Sequence, residues 1–438
     1  MSDQKSSNVV FTVAPGGSLN GEGRVPGDKS MSHRSIMLGS LAEGITEVSG
    51  FLEGEDSLAT LKAFRAMGVT IEGPENGRVQ VHGVGLHGLK QPEKPLYLGN
   101  SGTSMRLMSG LLAGQSFHTT LTGDKSLSSR PMRRVIDPLL QMKASITASQ
   151  NGTSPLQIQG GQKLQAIQYT LPVASAQVKS CILLAGLYAN GKTCVTEPAP
   201  TRDHTERMLQ GFGYEVMRDD ATVCLRGGGT LKATQIDVPS DISSAAFFMV
   251  GASIADGSDV TLKHVGVNPT RTGVIDILKL MGADIALSNQ HEVGGEPVAD
   301  IRIRSSNLKG IDIPTDLVPL AIDEFPAIFV AAACAEGQTV LRDAKELRVK
   351  ESDRIQVMAD GLQILGISAE PTEDGIVIQG GNLGSGTVVS HGDHRISMSF
   401  AMAALRSSGQ VVIEDCANVN TSFPGFVDLA ARMGLQIN

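Results

Sequence analysis

The sequence predicts an α/β protein of two domains, each assembled from three similar strand-and-helix units. The chain has 438 residues, 41% of them apolar and 19% charged, which is enough for two or three domains whose cores need no disulfide or metal to hold them. It contains 50 glycines. A small-residue helical run that ends at Gly and passes into a β-branched strand recurs six times, and such self-similarity marks a repeat architecture.

In order, the copies are Leu41–Val48 around Gly44, Leu112–Leu121 around Gly114, Tyr188–Val195 around Gly191, Ile254–Leu262 around Gly257, Cys334–Leu341 around Gly337, and Arg406–Ile413 around Gly409. Each Gly is expected to cap a helix with a left-handed turn. A second, amphipathic helix follows each copy, as the spacing of Ile275, Leu278 and Met281 shows. Five of these second helices end in Gly, at Gly68, Gly213, Gly282, Gly366 and Gly434, whereas Lys143 stands at the corresponding place in the second copy. The step of 70 residues from Gly44 to Gly114 is too long for a solenoid repeat and suits a small α/β unit. Three units per domain put one crossing near 234–240 and another within 18–24. The expected domains are residues 1–24 with 241–438, and residues 25–240.

Acids outnumber bases by 45 to 37, which argues against a nucleic-acid partner, because duplex-binding surfaces are net basic. With no Trp, 4 Tyr and 12 Phe, few residues are available to stack on single-stranded bases. The start Met1–Asn8 is polar, and no window reaches the length of a membrane span, so no membrane partner is expected and the location is read as cytoplasmic. Cys181, Cys194, Cys224, Cys334 and Cys416 are odd in number and lack zinc-site spacing. They are read as reduced thiols.

The functional signal lies ahead of the helices, where unpaired N–H groups and a partial positive charge attract anions. The first helix of each copy is preceded in turn by Gly27-Asp28-Lys29-Ser30 with Arg34, by Gly99-Asn100-Ser101-Gly102-Thr103 with Arg106, by Ser175-Ala176-Gln177 with Lys179, by Ser240–Ser244, by Asp323-Glu324, and by Asp393-His394-Arg395. The fourth, Ser240–Ser244, lacks a base, and the fifth, Asp323-Glu324, offers acids. The second helices open with Ser129-Arg130-Pro131, where Pro131 suits a first turn, with Thr201-Arg202, and with Lys350-Glu351-Ser352-Asp353-Arg354. Any one of these bases alone reads as a solvated charge or a helix pair. Together they suit small phosphorylated or carboxylated ligands.

Asp323 and Glu351, ringed by cations, are the candidate acid and base. His33, His204 and His394 lack metal-binding spacing and read as structural. There is no Gly-x-Ser-x-Gly nucleophile elbow, dinucleotide fingerprint or P-loop. No metal and no cofactor is expected.

The runs Pro26–Ser30 with Arg34, Leu98–Thr103 with Arg106, Ser129–Pro131, Val349–Arg354 and Asp393–Arg395 together resemble the enolpyruvyl transferases. The resemblance spans nearly the whole chain. It implies two domains of three βαβαββ-like units with helices packed inside sheets, an inside-out α/β barrel, and an active site in the interdomain cleft. It further implies transfer of the enolpyruvyl group of phosphoenolpyruvate to the 5-hydroxyl of shikimate 3-phosphate through a tetrahedral intermediate, by a monomer. Carried over, Lys29, Ser30, Arg34, Ser175, Gln177, Arg202, Asp323 and Lys350 contact shikimate 3-phosphate. Lys29, Gly102, Arg130, Gln177, Arg354 and Arg395 hold phosphoenolpyruvate. Asp323 is the base, and Glu351, with Lys29 as a participant, is the acid. Thr421, Leu107 and the Thr201–Glu206 stretch depart from the enterobacterial and plant pattern and resemble a second bacterial class; the role of Arg202 rests on that class. Gly102 implies inhibition by glyphosate in competition with phosphoenolpyruvate. The rivals are an enolpyruvyl transferase acting on UDP-N-acetylglucosamine, which would carry a reactive Cys that the 99–134 stretch lacks, and a non-catalytic anion- or RNA-binding module.

Overall fold

The computed structural model describes residues 9–438, and the polar start Met1–Asn8 lies outside them. The described residues divide into two compact units: 9–26, Pro239–His291 and Pro297–Asn438 form the first, and Gly27–Val238 with Glu292–Glu296 the second. The five residues 292–296, which the sequence grouped with 241–438, cluster with the second unit.

Each unit contains three small sheets among the described residues. In the second unit they are built on the antiparallel pairs Ala42–Ser49 with Arg78–Val84, Thr119–Thr122 with Leu156–Gln159, and Lys192–Thr196 with Thr222–Arg226. Its last strand, Gln235–Asp237, returns to run parallel to its first, Ala42–Ser49. The first unit closes on itself in a similar way. Asn20–Gly23 pairs in parallel with Asp259–Gly266, and Phe11–Val13 pairs antiparallel with Val411–Glu414.

The first helix of each repeat is buried almost throughout. Lys29–Leu41, Gly102–Ala113 and Ala176–Gly186 serve the second unit, and Ile242–Ile254, Phe325–Cys334 and His394–Ala403 the first. Their sequences, rich in Ala, Gly, Ser and Leu, are apolar or small all round, as a fully enclosed helix must be. The second helices show one buried face, as in Gly273–Leu280, where Val274, Ile275, Ile277 and Leu278 are covered.

The glycine pattern divides in two. Behind the second helices the left-handed turn is uniform, and in the second repeat Lys143 adopts it at φ 69° without being Gly. Behind the first helices it is not uniform. The Lys29–Leu41 helix has already ended when the chain reaches Gly44, which lies inside a strand, and Gly114 has φ −87°.

One cysteine expectation is overturned. Cys194 and Cys224 face each other across adjacent antiparallel strands and form a disulfide, while Cys181, Cys334 and Cys416 are free. Their separation of 30 residues hid a partnership that only strand register creates.

Candidate active site

The predicted residues fall into two sets, one in each unit. In the second unit, Asp28, Ser101 and Ser175 cap the three core helices by accepting the N–H of Met31, Ser104 and Val178. These caps fix the loops that carry the candidate ligands. Lys29 opens its helix with Nζ 3.1 Å from Asp56 Oδ2, and half-buried Ser30 follows it. Arg34 is buried. It donates to Thr205 Oγ1 at 2.7 Å, Ser180 Oγ at 2.9 Å and the Ser30 carbonyl at 3.0 Å. Burial pushes its pKa down to about 10, against the pull of Glu206 and Asp28.

Two guanidiniums flank Gly102. Arg106 donates to Gln177 Oε1 at 2.5 Å, and Arg130 to Asn100 Oδ1 at 2.7 Å. Gln177 in turn donates to Thr103 Oγ1 at 3.0 Å. A Cβ on Gly102 would lie 3.2 Å from Arg130 Nη1 and 3.3 Å from Arg106 Nη1, so the bare glycine lets both arginine tips close over the helix start. Arg130 and Pro131 lie ahead of the Arg133–Gln141 helix, in the connection from the short Lys125–Ser129 helix, so Pro131 is not in a first turn.

Lys179 is not offered to a ligand. It is fully buried, with Nζ 2.9 Å from Glu197 Oε1 and 2.7 Å from Glu206 Oε1. Thr201, whose hydroxyl donates to Glu197, and half-buried Arg202 follow on the loop held by this triad. His33 is buried and neutral. Desolvation, then Lys29 and Arg34, hold its pKa well below 6.5. Its ring links Thr60 Oγ1, at 2.8 Å, to Ser101 Oγ and Ser104 Oγ under the Gly102 loop. His204 Nδ1 lies 2.8 Å from Glu296 Oε1.

In the first unit the bases meet carboxylates. Arg354, 1% exposed, is the first residue of its helix, and Lys350 lies before it at the end of a 3-10 turn, so the two do not share a helical face. Arg354 pairs with Asp393 at 2.8 Å, Glu351 at 2.6 Å and Asp323 at 3.4 Å. Burial disfavours its charge, but Asp393, Glu351 and Asp323 outweigh burial and raise its pKa above the ordinary arginine value. Lys350 Nζ lies 3.4 Å from the same Asp323 oxygen. Asp393 is fully buried and also caps its helix by accepting from Arg395 N. Asp323, Glu351, Lys350 and Arg354 are thereby brought together, and Arg395 stands two residues after Asp393 with Nη1 3.8 Å from Glu324 Oε1.

The fourth repeat, which lacked a base at its helix start, acquires one from further along. Arg271 donates to Ser243 Oγ at 2.6 Å and to Asp241 Oδ1 at 3.1 Å. Sequence reasoning missed Arg271 because it sits 30 residues beyond Asp241 in an unremarkable loop. A concavity of about 1210 Å³ within the second unit is lined by Glu47, Glu72, Glu75 and Asp237 among others and contains none of the candidate residues. Charge chemistry, and not cavity size, locates the candidates. Among the described residues, no group of three or more His, Cys, Asp and Glu is gathered to hold a metal ion, and no helix is long and apolar enough to cross a membrane.

Comparison with known proteins bears on these two sets. A family model described as EPSP synthase (3-phosphoshikimate 1-carboxyvinyltransferase) matches residues 13–429. The 3-phosphoshikimate 1-carboxyvinyltransferase of Nitrosococcus oceani is 68% identical, covering 98% of this chain and 97% of its own. The protein of the same name from Methylococcus capsulatus is 69% identical, with 98% of each chain covered. A solved EPSP synthase from Acinetobacter baumannii superposes with TM-score 0.89 at 61% identity over 99% of both chains. The enolpyruvyl transferase NikO from Streptomyces tendae, at 15% identity and TM-score 0.79 over 98% of both chains, shares the fold. The chain therefore belongs to the EPSP synthase family.

Proposed function

We propose that the protein transfers the enolpyruvyl group of phosphoenolpyruvate to the 5-hydroxyl of shikimate 3-phosphate, giving 5-enolpyruvylshikimate 3-phosphate and phosphate. The observation that carries this reading is the arrangement of Asp323 and Glu351 around one buried guanidinium. Arg354 holds both carboxylates, and Lys350 adds a second cation to Asp323. Two carboxyl groups fixed in this way suit a reaction that removes one proton and delivers another.

In the addition step Asp323 takes the 5-hydroxyl proton as that oxygen bonds to C2 of phosphoenolpyruvate. Glu351, with Lys29 as a participant, gives a proton to the methylene carbon. In the elimination step Glu351, left deprotonated by the addition, takes a proton back from the methyl carbon as the bond from C2 to the phosphate oxygen breaks and phosphate leaves with the bonding electrons. Lys350 and Arg354, both on Oδ1, orient the Asp323 carboxylate for the first transfer. Lys29, Ser30, Arg34, Ser175, Gln177, Arg202, Asp323 and Lys350 serve shikimate 3-phosphate. Lys29, Gly102, Arg130, Gln177, Arg354 and Arg395 serve phosphoenolpyruvate, whose charges call for preorganised cations. Glyphosate competes for that second set.

The proposal extends to the finer architecture, an inside-out α/β barrel in each unit, which the near-complete burial of the six core helices supports. It also includes a monomer acting in the cytoplasm, checkable by light scattering and by cell fractionation.

The deciding assay is phosphate release from phosphoenolpyruvate. Release that depends on shikimate 3-phosphate supports the proposal. Release that depends instead on UDP-N-acetylglucosamine, or no release with either acceptor, ends it.

A further inference from the structure

Glu324 has no part in the reaction as described, yet it is among the least exposed carboxylates in the first unit, with its side chain 1% exposed. It occupies the N-cap position of the Phe325–Cys334 helix without capping it. The other five core helices are capped by Asp or Ser side chains that accept from their own backbone.

Glu324 Oε1 is committed elsewhere. It accepts a hydrogen bond from Ser243 Oγ, and it lies 3.9 Å from Arg271 Nη2 and 3.8 Å from Arg395 Nη1. Ser243 belongs to the first turn of Ile242–Ile254, and Arg395 to the first turn of His394–Ala403. One carboxylate oxygen thus ties together the starts of all three core helices of its unit. Arg271 closes the cluster through Ser243 and Asp241, so two carboxylates balance two guanidiniums, all largely buried.

We propose that Glu324, held by Ser243 and Arg271, is a positioning residue that sets the Arg395 guanidinium for phosphoenolpyruvate; this rests on the assignment of Arg395 to that substrate. Arginine has a long side chain with many rotamers, and fixing it before the ligand arrives removes an ordering cost from binding. At 3.8 Å the contact is an ion pair without a hydrogen bond, so it directs the guanidinium through charge and does not occupy its N–H donors. A closer carboxylate would compete with the ligand. One shared with Ser243 and Arg271 competes less, because its charge is already partly answered.

The test is steady-state kinetics on the full-length enzyme with Glu324→Gln, Ser243→Ala and Arg395→Gln, each with a melting curve. Glu324→Gln keeps the shape and removes the charge. It is expected to raise the KM for phosphoenolpyruvate about tenfold while the KM for shikimate 3-phosphate and kcat stay within about threefold. Ser243→Ala is expected to shift the same constant in the same direction by less, and it decides the matter if Glu324→Gln does not fold. An unchanged or lowered KM for phosphoenolpyruvate overturns the proposal, the second result making Glu324 a competitor. So does a loss confined to kcat, which would place its effect on neighbouring Asp323. So does a rise in both KM values with a falling melting temperature, which would make the cluster purely structural. If Arg395→Gln leaves the KM for phosphoenolpyruvate unchanged, the assignment of Arg395 itself fails. If Arg395→Gln raises that constant and Glu324→Gln does not, only the role of Glu324 fails.

Discussion

The two units hold their arginines by different means. In the second unit, Arg106 and Arg130 donate to the side-chain amides of Gln177 and Asn100. In the first, Arg354 is held by Asp323, Glu351 and Asp393, and Arg395 stands beside Glu324. An amide orients a guanidinium and leaves its charge to act on a ligand, whereas a carboxylate orients it and offsets the charge. The set with amide partners suits anion binding, and the set gathered with Asp323 and Glu351 suits proton transfer. Carboxylate pairs occur in the second unit too, Lys29 with Asp56 and Lys179 with Glu197 and Glu206, and the full burial of Lys179 marks it as a structural base.

The largest test of this division is removal of the proton-transfer groups. Asp323→Asn or Glu351→Gln is expected to lower kcat by about 100- to 10,000-fold while substrate affinities, measured by calorimetry, change little. Loss of affinity with kcat retained would mean that these carboxylates only position cations.

Stability separates the two kinds of arginine. Arg354→Met leaves Asp393 buried and its neighbours without their shared cation, at an expected cost of about 3–5 kcal/mol in denaturant unfolding. Arg130→Met breaks hydrogen bonds to Asn100 and Ser126 and is expected to cost nearer 1 kcal/mol. Lys179→Met should fall with Arg354→Met, because Glu197 and Glu206 are then buried without it. Equal costs for Arg354→Met and Arg130→Met would erase the contrast.

His33 extends the comparison to pH. Its partners under the Gly102 loop are hydroxyls, and its folded pKa lies below the ordinary 6.5. Between those two values the unfolded chain binds the proton and the folded chain does not. Stability therefore falls as pH drops below 6.5, by at most about 1.4 kcal/mol per pH unit for one proton. His33→Gln is expected to flatten that part of the profile, read as the difference from wild type in urea melts at pH 7 and pH 5. An unchanged slope would show that His33 is not the group responsible.

Much of this was legible in the sequence, and the rest was hidden for identifiable reasons. Six repeats appear as six sheets and six enclosed helices because small-residue runs and turn glycines are local signals. The left-handed turn even persists at Lys143, where its usual residue is missing. Asp323, Glu351, Lys350 and Arg354, which lie together, sit at element ends that their own sequence marks. Arg271 and the Cys194–Cys224 pair were not found, and Glu324 was named only as part of a helix start, because each depends on a partner supplied by register or by a distant loop. Lys179 looked like its basic neighbours, and only burial distinguishes it.

The smallest expected effect concerns how firmly the amide-held arginines sit. A methyl at position 102 would come within 3.2 and 3.3 Å of two guanidinium tips, a distance at which neighbours must give by a few tenths of an ångström. Both are the far ends of long, flexible side chains, so they can yield. Gly102→Ala is accordingly expected to change stability by less than about 1 kcal/mol and to raise the KM for phosphoenolpyruvate by about two- to tenfold. Glyphosate, being longer than the substrate, should lose more affinity than phosphoenolpyruvate does, so the ratio of its inhibition constant to that KM rises. Measuring both constants on the wild type and the variant gives that ratio directly. A ratio that stays fixed would mean that the arginine tips absorb the methyl without narrowing the space beside them, and Gly102 would then have no part in excluding the inhibitor.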